Sequence, residues 1–149
     1  KGFPVMTYVF NTVEEIEKSL RCIAAILKKK GRDILSNYSI TPPQFDALLL
    51  LNESGNMTIG ELSNKMYLAC STITDLMDRM EKNNLVKRVK DEKDRRLVRI
   101  QLLENGQRVI EAALAKRQEY LREVLKNFSD QEIVQLEKLL AKLQQEMKE

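Results

Sequence analysis

Apolar residues recur with the period of an α-helix in six separate stretches of the chain. In the first stretch, from about Phe10 to Asn37, they step by three and four residues, which is typical of a coiled-coil-like helix. This seam consists of Val13, Ile16, Leu20, Ile23 and Leu27. A short chain rarely needs so narrow a seam for its own core, so we expect it to lie in a subunit interface.

Three shorter helices are predicted next. Thr41-Pro42-Pro43 marks the start of the first, because proline suits the first turn of a helix. Thr58 and Glu61 have the spacing of a capping box and open the second. The third runs from about Cys70 to Lys82 and closes at Asn84, since asparagine suits the left-handed cap position. The apolar face of the first of these helices is Phe45, Leu48, Leu49 and Leu51, that of the second is Ile59, Leu62 and Met66, and that of the third is Ile73, Leu76, Met77 and Met80.

The apolar period then falls from 3.6 to 2. Residues 85–90 and 98–102 alternate on either side of a charged loop, which predicts a β-hairpin. A helix from about Asn105 to Phe128 follows, and the capping-box pattern of Ser129–Glu132 opens a last helix. The predicted fold class is therefore mainly α with a small β-hairpin wing: a winged helix-turn-helix flanked by long dimerisation helices.

Composition excludes several classes of protein. The 149 residues suit one domain, and the longest apolar runs, of five residues, are too short to span a membrane. The chain has no histidine, no glycine-rich phosphate loop and no nucleophile next to a base, so we expect neither an enzyme nor a cofactor. Two cysteines make no disulfide framework, which favours the cytoplasm.

Positive charge is concentrated in the middle of the chain. Residues 58–103 have ten Lys or Arg and seven Asp or Glu, whereas the segments before and after carry net charges of +1 and −1. An uneven distribution of this sign is a modest indication of a nucleic-acid partner.

The exposed face predicted for the third short helix is small and polar. Ser71, Thr72 and Thr74 would let the helix approach base edges in a major groove, and Arg79 has the reach for a phosphate or a guanine. Asp75 either accepts from a cytosine amino group or pairs with Arg79 four residues on, and we favour the ion pair. An ordinary surface helix carries similar residues, so this face alone does not decide the function.

The tip of the hairpin is more informative. Asp94 stands beside Arg95 and Arg96, and a carboxylate that holds an arginine would aim it at the narrow, electronegative minor groove. A charged, solvated loop is the alternative, and the helix-turn-helix directly upstream argues against it. Further cations within reach of phosphates are Lys87, Arg88, Lys90, Lys93 and Arg99.

The stretch STITDLMDRMEKNNLVKRVKDEKDRRLVRIQLLENG, residues 71–106, resembles the signature of the MarR family, the multiple-antibiotic-resistance regulators. ITPPQFDALLLL, residues 40–51, resembles the family's second helix. The resemblance implies one MarR-like domain over residues 1–149, with dimerisation helices at 10–40 and 105–149 and a winged helix-turn-helix DNA-binding region at 41–104.

The resemblance also implies a function. Each half of a homodimer would read one half of a pseudo-palindromic operator in double-stranded DNA, with Arg96 in the minor groove and Asp94 orienting it. The family mostly represses, and many members release DNA when a small-molecule effector or an oxidant acts. Three residues depart from the family pattern: Asn84 replaces a glycine, Leu103 replaces a threonine, and Asp75 stands where a basic or neutral residue is usual. Because Leu103 cannot cap the next helix, Asn105 is expected to do so.

Two alternatives concern sensing and function. Cys22, among Ile23 and alanines, is interpreted as a buried core thiol, whereas Cys70 opens the DNA-reading helix, where its modification would disturb docking. Acidic Asp75 and Asp78 on the exposed helix face are also compatible with a winged-helix adaptor that binds a protein instead of DNA.

Overall fold

The computed structural model describes residues 3–148, with side chains described from residue 11. It confirms the predicted fold class, since helices predominate beside one small antiparallel sheet. The chain divides between Ala113 and Leu114 into two compact units. The elements are α1 (Phe3–Ser36), α2 (Pro42–Ser54), β1 (Met57–Thr58), α3 (Ile59–Met66), α4 (Cys70–Lys82), β2 (Val86–Lys90), β3 (Val98–Leu102), α5 (Glu104–Leu125) and α6 (Asp130–Glu146).

The start of α2 is held by a reciprocal cap. Thr41 Oγ1 accepts from the Gln44 N–H at 3.4 Å, and Gln44 Oε1 accepts from the Thr41 N–H at 3.0 Å. Pro42 and Pro43 occupy first-turn positions, where a missing N–H costs no helical hydrogen bond. The prolines predicted this start, but the capping box went unnoticed although Thr-x-x-Gln has its spacing.

The predicted capping box at α3 forms only in part. Thr58 Oγ1 accepts from the Glu61 N–H at 3.1 Å, as expected. The Glu61 carboxylate, however, accepts from the Thr58 hydroxyl at 3.2 Å and from Arg99 at 3.2 Å. The carboxylate thus joins α3 to β3, because a guanidinium is a stronger partner for it than a backbone amide.

The sheet has three strands in the order β1-β3-β2, all antiparallel. The register of the hairpin pairs Val86 with Leu102 and Lys90 with Val98. Strand β1 was not predicted, because its two residues are too few to show a period. It pairs Met57 with Ile100 and adds a third strand to the wing.

The core of the first unit lies where α2, α3 and α4 meet the sheet. The predicted apolar face of α4 is confirmed, since Ile73, Met77 and Met80 are buried. The largest fully buried side chains are Phe45, Leu48, Leu62, Ile73, Met77, Met80, Val86, Ile100 and Ile110. Asn84 has φ 60°, as predicted for the left-handed turn that leads from α4 into β2.

Two details at the start of α5 concern Asn105 and Gly106. Asn105 was expected to cap the helix, which is wrong: α5 begins at Glu104, and the Asn105 side chain instead donates to the Asn83 carbonyl at 3.4 Å. Gly106 is buried, and a Cβ built on it would lie 2.4 Å from the Leu85 carbonyl oxygen. This glycine therefore permits a close approach of α5 to the backbone that precedes β2.

The predicted apolar seams are largely exposed in the single chain. Val13, Ile16 and Ile23 of α1 are exposed, and no described residue of α6 is buried. Cys22 is also exposed, so its interpretation as a buried thiol is wrong. Among the described residues its side chain is exposed on α1, whereas the local run of apolar residues had indicated a core.

We expect Gly106→Ala to destabilise the fold by about 1–3 kcal/mol, because the new methyl group would meet a backbone oxygen that cannot rotate away. Denaturant unfolding followed by circular dichroism measures this loss. Gly60→Ala is the matched control: it too lies in a helix, but its Cβ would meet only Thr58 Oγ1 at 3.9 Å. Stability of the control should change by less than about 1 kcal/mol. Equal losses in the two variants would rule out the close approach as the cause.

Candidate nucleic-acid interface

Helix α4 presents its polar residues outward. Its buried stripe turns one face to the core, and Ser71, Thr72, Thr74, Asp75 and Arg79 are all exposed. The Thr74 hydroxyl donates to the Cys70 carbonyl at 2.9 Å and so keeps its lone pairs for an outside donor. The structure thus brings the five predicted residues of this helix together on one exposed face.

The favoured ion pair between Asp75 and Arg79 does not form. Within the described residues neither side chain has an ion-pair partner. Both are well solvated, and an exposed pair at this spacing contributes only about 0.3–0.5 kcal/mol. Such a small gain does not hold two side chains together, so both remain available to an outside partner.

Arg88 of β2 is held by two carboxylates of α4. Its guanidinium donates to Asp78 at 2.7 Å and to Glu81 at 2.6 Å, and its backbone N–H donates to Glu81 at 3.1 Å. Burial lowers the pKa of Arg88, but the hydrogen bonds to Asp78 and Glu81 together raise it above its usual value. In this structure Arg88 ties the wing to α4, and its expected role at a phosphate stays a prediction.

The predicted ion pair at the tip of the wing is present. Arg96 donates from Nε to Asp94 Oδ1 at 3.0 Å and from Nη2 to Oδ2 at 3.2 Å, and its backbone N–H donates to Oδ1 at 3.1 Å. The hydrogen bonds from the Arg96 side chain and backbone lower the pKa of Asp94. Asp94 is 37% exposed and Arg96 is 90% exposed, so the carboxylate is the anchored partner and the guanidinium projects into solvent.

Asp91 organises the same loop and was missed. Its carboxylate accepts from the N–H groups of Lys93 at 3.0 Å and Asp94 at 2.9 Å. It also accepts from Arg99 Nε at 2.5 Å. The hydrogen bond from the Arg99 side chain lowers the pKa of Asp91 most, and the bond from the Asp94 N–H adds to this. The signal was readable in the sequence, because an aspartate often bonds the backbone N–H two residues on.

Arg99 of β3 is the second arginine that proves to be structural. Besides Asp91, it reaches Glu61 of α3 at 3.2 Å and the Asn56 carbonyl oxygen at 3.3 Å. These partners hold its guanidinium in the single chain, and its expected role at a phosphate stays a prediction. Lys90 and Arg95, by contrast, are exposed, and neither has an ion pair in the part of the chain that the structure describes.

The chain has a closely similar relative among known regulators. It is 65% identical to the HTH-type transcriptional regulator YsmB of Bacillus subtilis (strain 168), over 91% of this chain and 93% of the relative. The MarR family model matches residues 40–98. The chain belongs to the MarR family. The matched residues run from just before α2 to the first residue of β3, so they include the candidate residues of α4, Lys90 and the wing tip, but not Arg99.

Other MarR-family comparisons agree with this fold. A solved structure of a MarR family protein from Bacillus stearothermophilus is 63% identical, with a TM-score of 0.84, covering 92% of this chain and 96% of the other. The HTH-type transcriptional repressor MdtR of Bacillus subtilis is 27% identical over 89% of this chain and 86% of the relative. The chain is accordingly a DNA-binding transcriptional regulator and not an enzyme.

The remaining sequence predictions concern metals, membranes and Cys70. Among the described residues no group of side chains has the composition of a metal site. No described helix has the length and apolar content needed to cross a bilayer. Cys70 is exposed at the first position of α4, as the sequence predicted.

Both wing aspartates should titrate below 3.8, their ordinary pKa, although the charge of Asp91 raises the pKa of Asp94 by less than Arg96 lowers it. Folding lowers the pKa of both aspartates, so their ionised carboxylates stabilise the folded state. This stabilisation is fully present above pH 3.8 and is lost as the pH falls through the lowered pKa values of the folded state. Carboxyl NMR titration measures each group, with circular dichroism to verify folding. Arg99→Met should raise mainly the pKa of Asp91, and Arg96→Met mainly that of Asp94. Titration of both groups at 3.8 in the unmodified protein would contradict the observed pairing.

Proposed function

We propose that the chain acts as a homodimer that represses transcription by binding a pseudo-palindromic operator in double-stranded DNA. The observation that carries this proposal is the wing tip, where Asp94 binds the Nε and Nη2 atoms of Arg96 while 90% of the Arg96 side chain stays exposed. An arginine fixed in this way is suited to the minor groove, whose narrow form concentrates negative potential. We also propose that the protein acts in the cytoplasm, because it must share a compartment with the DNA that it binds.

Helix α4 is the proposed reader of the major groove. The side chains at its start, Ser71 and Thr72, are short, so its first turns would enter the groove without bulky side chains holding them off. Thr74 offers an acceptor to a base edge, and Arg79 reaches a phosphate or a guanine. Asp75, free of Arg79, would accept a hydrogen bond from a cytosine amino group, which makes it the proposed determinant of base preference.

The positive charge that the wing offers to DNA is proposed to come from Lys90, Arg95 and Arg96. Lys90 and Arg95 lie on either side of Asp94, exposed and without ion pairs within the described residues. We assign them to phosphates, where each contact would release counterions and make binding sensitive to salt.

The dimer rests on the exposed apolar seams of α1 and α6. Both helices carry apolar side chains at coiled-coil spacing that remain exposed in one chain, and a second copy would cover them. Repression is supported by the name of the relative MdtR, a transcriptional repressor. Release of DNA by a small-molecule effector or an oxidant is part of the proposal on the strength of family membership alone.

A winged-helix adaptor for a protein partner is less well supported. Its case relied on two acidic residues of α4, yet Asp78 is taken up by Arg88. Only Asp75 is left as an unpaired acidic group on that face within the described residues.

Selection of bound duplexes from a random double-stranded DNA pool tests the proposed function. We expect enrichment of a pseudo-palindrome whose half-sites are about 10–10.5 bp apart, which is the spacing set by two copies of α4 on one face of the helix. Recovery of a protein partner together with no enriched DNA sequence would favour the adaptor.

Arg96→Ala should weaken operator binding about 30- to 900-fold, because each of the two half-sites loses one minor-groove contact worth roughly 1–2 kcal/mol. The slope of log affinity against log salt should fall as well. Fluorescence anisotropy across a salt series measures both quantities.

Asp94→Asn should weaken binding less than Arg96→Ala and leave the salt slope unchanged, since the cation of Arg96 remains but is no longer oriented by a carboxylate. Arg108→Ala removes an exposed arginine of α5 and is the matched control. Unchanged binding by the Arg96 variant would remove the wing from the interface.

A further inference from the structure

Tyr67 adopts a backbone conformation that tyrosine rarely takes. It occupies the turn between α3 and α4 with φ 55° and ψ 40°, in the left-handed region. Bulky residues are outliers there, because the Cβ approaches the following carbonyl oxygen, whereas glycine adopts it without steric cost. This position therefore carries a local strain that a smaller residue would avoid.

The turn itself requires the left-handed conformation. The N–H groups of Tyr67 and Leu68 both donate to the Ser63 carbonyl, the latter at 3.2 Å. The Ser63 hydroxyl donates back to the Leu68 carbonyl at 2.5 Å. These bonds close the end of α3 through the backbone and through Ser63, so the phenol side chain is not needed to make the turn.

The phenol contributes little to the fold. Tyr67 is 92% exposed, more than any other large hydrophobic residue whose side chain is described. Its hydroxyl has no hydrogen-bond partner within the described residues. A strained backbone that presents an unpaired aromatic side chain to solvent indicates a contact outside the chain.

The position of the turn identifies the partner. In a helix-turn-helix the first helix crosses the DNA backbone and the second enters the major groove, so the turn between them lies beside the phosphates at the groove edge. Tyr67 is four residues before Ser71, within about 14 Å even if the chain were extended. Tyrosine hydroxyls are among the side-chain donors that bind DNA phosphates.

We propose that Tyr67 is a DNA-backbone contact, its phenol donating a hydrogen bond to a phosphate beside the major groove entered by α4. The inference rests on the proposed function, because it assumes that α4 lies in that groove. It adds a neutral residue to an interface otherwise described through cations and small polar groups.

Three variants test the contact on the selected operator duplex, with affinity measured across a salt series and stability by thermal unfolding. Tyr67→Phe removes only the hydroxyl and should weaken binding about 100-fold, because each of the two half-sites loses a hydrogen bond to a charged group that is worth roughly tenfold. Its salt slope should stay unchanged, because no cation is lost. Tyr67→Gly should bind at least as weakly while its unfolding midpoint rises, since it relieves the left-handed strain.

Ser39→Gly is the matched control for the relief of strain. Ser39 has φ 56° in the exposed turn between α1 and α2, so its replacement should raise stability without altering affinity. Wild-type affinity in both Tyr67 variants would overturn the contact while leaving the proposed function intact. Failure of the unmodified protein to enrich any duplex would overturn both.

Discussion

Arg88 and Arg99 each join one strand of the wing to one helix of the helix-turn-helix. Arg88 of β2 binds two carboxylates of α4, and Arg99 of β3 binds Glu61 of α3 as well as Asp91 in the loop. A guanidinium presents several donors in a rigid plane, so an arginine with two or three partners fixes an angle as well as a distance. The orientation of the wing relative to α3 and α4 depends on these bonds.

The same chemistry continues from α3 to the end of the wing. The Arg99 guanidinium donates to the carboxylates of Glu61 and Asp91. Asp91 in turn accepts from the backbone N–H of Asp94, and the Asp94 carboxylate accepts from Arg96. The Arg96 side chain is 90% exposed, whereas that of its partner Asp94 is 37% exposed. The guanidinium is therefore presented to solvent in a direction set by its ion pair with Asp94, which reduces the side-chain ordering that binding requires.

Periodicity predicted the helices and the hairpin well, because long amphipathic segments repeat their pattern many times. It missed β1, which has two residues, and it could not show which arginines join separate elements of the fold. Arg88 and Arg96 look alike in sequence, but Arg88 joins β2 to α4 through two carboxylates, whereas Arg96 pairs with Asp94 in its own loop. Cys22 was misjudged for a related reason, since apolar neighbours along a helix do not reveal whether another element covers them. Tyr67 gave no signal at all, because a backbone angle is not visible in a residue list.

The central claim is that the carboxylates of the wing act on DNA binding by aiming Arg96. A double-mutant cycle of operator affinity over Asp91→Asn and Arg96→Ala tests it most directly, with dimeric mass and thermal stability followed in all four proteins. We expect Asp91→Asn to weaken binding in the unmodified protein and to have no further effect once Arg96 is alanine. Losses that simply add would show that Asp91 and Arg96 act independently and would contradict the claim.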